Sequence, residues 1–129
     1  MVWAIARNCL TGLLAVPIAA FFGFVGWSKA FAPMLELALH HSWTVHLPEG
    51  LGRAVGWSEM TLAVGLLLAL VPAYRRICAI SALVLVANQA AASWVHLANG
   101  EAGALPQNAV LIVFLLVLAV LTRHNRNVP

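Results

Sequence analysis

ARNCLTGLLAVPIAAFFGFVGWSKAF, residues 6–31, decides the fold. Between Arg7 and Lys29 it carries no charged residue. A helix needs roughly 20 mostly apolar residues to cross the hydrocarbon core of a bilayer. A secretory signal has an apolar core of only about 7–15 residues and ends at a small-x-small cleavage site. The run from Cys9 to Trp27 is longer, leads into Lys29 and offers no such site. Residues 6–31 are therefore read as a spanning helix.

Three further runs follow. Residues 51–71 are stopped by Pro72, residues 76–97 begin behind Arg75 and Arg76, and residues 106–121 open on Pro106. Proline suits the first turn of a helix, where its missing N–H would be unpaired anyway. The expected fold class is all-α: an integral membrane four-helix bundle, one domain over residues 1–129, with spans near 6–31, 51–71, 76–97 and 106–121. The composition agrees, because 63% of residues are apolar and only 9% charged, against roughly 25% charged in soluble domains. The formal charge of +3 sits at the ends of apolar runs, not in a basic stripe with aromatics, so nucleic acid is not the expected partner.

Basic residues mark the side that stays in the cytoplasm. Arg7, Arg75, Arg76, Arg123 and Arg126 fall on one side; Lys29 and Arg53 fall on the other with Glu36, Glu49 and Glu101. Both termini are expected inside. Trp27, Trp57 and Trp94 then mark the outer boundary. In the first outer loop, Pro33 followed by Leu35, Ala38 and Leu39 predicts a short helix lying on the interface. The two cysteines, Cys9 and Cys78, form no CxxC pair and read as small apolar fillers.

Polar residues inside a membrane are expensive, and each needs a partner or a task. Here they gather in the outer half: Lys29, Arg53, Glu59, Asn88, Gln89, His96, Gln107 and Asn108. Small residues let membrane helices approach. Gly12, Ala15, Ala19, Phe22, Gly26 and Lys29 share one face of the first span, and Gly52, Gly56, Glu59 and Ala63 one face of the second. Cys78, Ala82, Leu85, Gln89, Ala92 and His96 form a stripe on the third. Gly52 and Gly56 are expected to face the first helix. Lys29, Glu59, Gln89 and His96 are expected to line one polar cavity. Lys29 and Glu59 are the natural ion pair, and two readings stay open: a bond that fixes helix register, or a proton-exchanging pair beside a ligand. Val25-Gly26-Trp27-Ser28 and Val55-Gly56-Trp57-Ser58 echo each other, through duplication or coincidence.

A haem held by two histidines would need two in the spans, and only His96 is there. His40, His41 and His46, with Glu36 one turn before His40, match no standard metal spacing, so no metal site is expected. The chain has no dinucleotide-binding glycine pattern, no cysteine cluster and no haem pair; no intrinsic cofactor is expected.

Gly26-x-x-Lys29-x-x-x-Pro33, Gly56-x-x-Glu59, the basic turn Arg75-Arg76, His96 and Pro106-Gln107-Asn108 occur in this order. Together they resemble the DoxX-like family of small four-helix membrane proteins over almost the whole chain. The resemblance implies a multi-pass protein of the bacterial cytoplasmic membrane. Some relatives resemble the membrane subunit of thiosulfate:quinone oxidoreductase, and others act with redox-stress partners or as assembly chaperones for membrane proteins. The implied function is the membrane subunit of a quinone-linked oxidoreductase complex. In that reading Glu59 and Lys29 are the catalytic candidates, and His96, Gln89, Asn88, Arg53 and Gln107 hold a bound quinone. A protein partner would carry the redox chemistry. The alternative is a non-catalytic structural or assembly subunit acting on a client membrane protein. Homo-oligomerisation stays open, and the histidine-bearing outer loop is not part of the family pattern.

Overall fold

A computed structural model describes residues 1–123. The long helices are α1 (Val2–Phe31), α3 (Glu49–Leu67), α4 (Arg75–Ala98) and α5 (Leu105–Arg123), with the short α2 (Met34–Leu39) between the first two. Single 3-10 turns lie at Trp43–His46, Leu68–Leu70, Pro72–Tyr74 and Ala102–Ala104. Among the described residues, four segments are long and apolar enough to cross a membrane: Val2–Phe31, Glu49–Leu70, Pro72–Ala98 and Ala102–Arg123. Only 28% to 39% of the most apolar window of each is buried inside the protein, so most of each surface points outward. Leu13, Phe24, Val64 and Val120 are exposed there. Lipid can solvate such a surface and water cannot. The chain is an all-α membrane bundle.

The spans are antiparallel neighbours in chain order. Glu36, Glu49, Lys29, Arg53 and Glu101 sit at one end, and Arg7, Arg75, Arg76 and Arg123 at the other. Arg126 lies outside the described residues. At the basic end Arg75 is buried; its Nε donates to Ala69 O (3.0 Å) and its Nη2 to Asn8 Oδ1 (2.8 Å). That pins the start of α4 to α1 and to the end of the second span.

Packing is tightest between α1 and α3 and between α4 and α5. The core between them is built of small and aliphatic side chains, among them Ala15, Ala19, Phe22, Leu66, Cys78, Ala82, Leu85 and Leu115. All six residues of the α4 stripe are buried. At the α1–α3 crossing the two echoed segments meet. A Cβ on Gly26 would lie 2.8 Å from Gly56 O, and one on Gly56 would lie 2.6 Å from Gly26 O and from Ala30 N. Only glycine at both places allows this backbone-to-backbone approach.

Gly52 behaves differently from the expectation. Its open side faces Thr44, whose carbonyl oxygen would be 3.1 Å from an added Cβ, and not α1. The reason is that the chain after α2 folds back: Trp43 and Thr44 are buried against the bundle end. Gly65 makes a further close approach, with Ser81 of α4 filling the space a side chain would need.

Candidate functional site

Lys29 occupies the last turn of α1 and is buried. A helical side chain leans back towards its own N-terminus, so the ammonium points down into the bundle. It meets Glu59 of α3, which is fully buried: Nζ lies 2.6 Å from Oε1 and 2.9 Å from Oε2. Asn88 of α4 donates from Nδ2 to the same Oε1 (2.8 Å). One carboxylate thus ties three helices together, with its charge matched and three hydrogen bonds accepted. Arg53 serves a neighbouring purpose. Its Nη1 donates to the carbonyl of Lys29 (2.9 Å) and to that of Ala32 at the C-terminal end of α1, where carbonyls have no helical partner.

Above this network lies a cavity of about 330 Å³. Phe21, Val25 and Lys29 of α1 form one wall and Gln107, Asn108 and Leu111 of α5 the opposite one. Gln89 and His96 of α4 close the back. Leu37, His40, His41 and Trp43 roof it. The exposed ring of Phe24 also borders it, so the space between α1 and α5 reaches the lipid-facing surface.

Of the four residues expected to share one cavity, Lys29, Gln89 and His96 do so and Glu59 is not among its lining residues; of the other expected quinone ligands Gln107 lines it, and Asn88 and Arg53 do not. Lys29 stands between Glu59 and the cavity, and Asn88 and Arg53 turn their donors to Glu59 and to the end of α1. Gln107 is exposed, whereas its neighbour Asn108 is buried and donates to Ser93 Oγ (3.2 Å).

Among the described residues, two buried nitrogens of cavity-lining side chains have no hydrogen-bond partner: Trp43 Nε1 and His96 Nδ1. The nearest anion to His96 Nδ1 is Glu101 Oε2, at 3.7 Å. Lys29 Nζ lies 5.7 Å from the centroid of the Trp43 ring. Among the described residues no three His, Cys, Asp or Glu side chains are placed to hold a metal ion.

The sequence profile of the DoxX-like family matches residues 13–120. The chain belongs to the DoxX-like family. No curated protein and no solved structure matches it. The matched region of this DoxX-like protein contains every residue of the cavity and of the Lys29–Glu59–Asn88 network.

Trp43 and Glu101 were not candidates on the sequence. Trp43 lies in the outer loop, away from every span, and no periodicity marks it as buried. Trp3, Trp27, Trp57 and Trp94 all lie in the long helices, and Trp43 does not.

Proposed function

We propose that this DoxX-like protein is the membrane subunit of a quinone-linked oxidoreductase complex of the bacterial cytoplasmic membrane, and that it holds the quinone head group in the cavity between α1 and α5. The observation that carries the reading is the cavity's lining, in which Lys29, Gln89 and His96 meet the apolar Phe21, Phe24, Val25 and Leu111. A ligand with two carbonyl oxygens can accept hydrogen bonds from such a polar end. Lys29 has a donor to spare: an ammonium has three N–H bonds, and Glu59 takes two. Phe21 and Trp43 offer ring faces. The volume falls within the range of small-molecule sites, about 300–1,000 Å³. The apolar side of the cavity, at Phe24 and Leu111, suits a hydrocarbon tail leading into the bilayer.

In this reading a bound quinone supplies the electron and proton acceptance. Lys29, Gln89, His96 and Trp43 bind and orient the head group. Glu59 and Asn88 hold Lys29 in place from behind, and Arg53 fixes the end of α1 that carries it. Electrons come from a partner subunit. One observation favours the alternative of a structural or assembly subunit: the Lys29–Glu59–Asn88 network is closed on itself. The open cavity between α1 and α5 is not explained by that alternative.

Quinones quench tryptophan fluorescence on contact, which gives the test. The purified protein in lipid nanodiscs is titrated with a short-tailed quinone. The exposed Trp3, Trp27, Trp57 and Trp94 should give a quenching component that rises without saturating. Trp43 should add a saturable one. Trp43→Phe should abolish the saturable component. Quenching that never saturates, or that Trp43→Phe leaves unchanged, supports the structural alternative.

A further inference from the structure

Glu101, in the short connection between α4 and α5, sits among three histidines. His46 Nε2 is 2.5 Å from its Oε1, and His96 Nδ1 and His41 Nδ1 are 3.7 and 3.8 Å from its Oε2. The backbone enforces the meeting. Gly100 takes a positive φ of 73°, which turns the chain back so that Glu101 N donates to His96 O (2.8 Å). His41 also holds a positive φ, 53°, uncommon for a residue with a side chain. Side-chain exposure rises along the set: 6% at His96, 23% at Glu101, 30% at His46 and 81% at His41. His96 borders the cavity, and His41 reaches water. The other titratable groups around the cavity are Lys29 on α1 and Glu36 and His40 in the roof; α5 presents the neutral Gln107 and Asn108.

We propose that Glu101, with His96, His46 and His41, is the proton-exchange site of the cavity, passing protons between a ligand there and the aqueous face that bears the outer loop. The inference rests on the quinone reading. Reduction of a quinone to a quinol adds two electrons and two protons and turns two C=O groups into C–OH. The electrons come from a reduced flavin or metal group of a partner subunit and do not pass through these residues. His96 gives a proton to a carbonyl oxygen from Nε2, the ring nitrogen turned away from Glu101. It regains one at Nδ1 from the Glu101 side, and His46 and His41 resupply Glu101 from water. Histidine suits this work because its ordinary pKa lies near neutrality. The 3.7 and 3.8 Å contacts need only a small side-chain rotation to become hydrogen bonds, a motion of picoseconds to nanoseconds.

Two measurements test it. In the ligand-free protein, histidine labelled with ¹⁵N reports how fast the His96 ring proton exchanges with water. Glu101→Gln, which keeps the shape and an acceptor oxygen but cannot carry the proton, should slow that exchange by about tenfold, the effect of 1.4 kcal/mol on a barrier. His46→Gln should slow it in the same direction, and it decides the matter if Glu101→Gln does not fold. In the quinone-loaded protein, infrared difference spectra at an electrode, with a soluble mediator as electron source, should show a carboxyl signal on quinone reduction that Glu101→Gln removes. Unchanged His96 exchange in both variants overturns the proposal, as do bound-quinone bands without any Glu101 signal; the quinone reading survives either result. Absence of bound-quinone bands in the unaltered protein overturns the quinone reading and the proposal with it.

Discussion

Glu59→Ala should lower the stability of the protein by roughly 3–5 kcal/mol, the cost of leaving one member of a buried ion pair without the other. Lys29 would lose its buried partner, and Asn88 its acceptor. Thermal unfolding in lipid nanodiscs, at constant protein and lipid concentration, reads the effect. The companion experiment separates charge from packing. Replacing both partners, Lys29→Met with Glu59→Leu, should recover most of the loss, because a well-packed apolar pair is often as stable as a buried ionic one. That double variant should still fail to bind quinone, since Lys29 is one of the donors proposed to hold it. A Glu59→Ala protein as stable as the parent would show that the pair does not hold α1 to α3.

Gly56→Leu should destabilise the protein by roughly 1–3 kcal/mol, the usual cost of overpacking. The added atoms would fall on backbone, not on a movable side chain: Ala30 N and Gly26 O both lie 2.6 Å from the position of the first one. Helix α1 would have to move away from α3, and the Lys29–Glu59 bond would stretch with it. Gly23 is the control on the same helix as Gly26. Nothing lies within 4 Å of an added Cβ there, so Gly23→Ala should be neutral or gain up to about 1 kcal/mol of helix propensity. Equal melting temperatures for Gly56→Leu and the parent would mean the helices do not meet at that point.

The reach of sequence reasoning differs between the bundle and its outer end. The apolar runs were legible because the membrane imposes one requirement, length without charge, on every span. The α4 stripe from Cys78 to His96 was legible because helical spacing alone puts six residues on one face, and all six are buried. Gly56 and the Lys29–Glu59 bond followed from the same spacing on α1 and α3. The outer loop obeys no such period. Trp43 and Thr44 are buried through a fold-back after α2, and that fold-back also took Gly52 away from α1. Glu101 depends on a turn at Gly100 and on histidines 55 and 60 residues earlier, at His46 and His41. Contacts of that kind come from tertiary structure. The sequence placed Glu59 at the right depth, but depth alone does not distinguish a residue facing the cavity from one sealed behind Lys29.

The measurement that bears most directly on the quinone site is photolabelling. A quinone carrying a photoreactive group on its ring is bound to the protein in lipid, illuminated, and the adducts are mapped by mass spectrometry. Adducts should fall within residues 21–29, 36–43, 89–96 and 107–111, and an excess of unreactive quinone should suppress them. Adducts spread over lipid-facing positions such as Leu13, Val64 and Val120, indifferent to competition, would contradict a quinone site in this cavity.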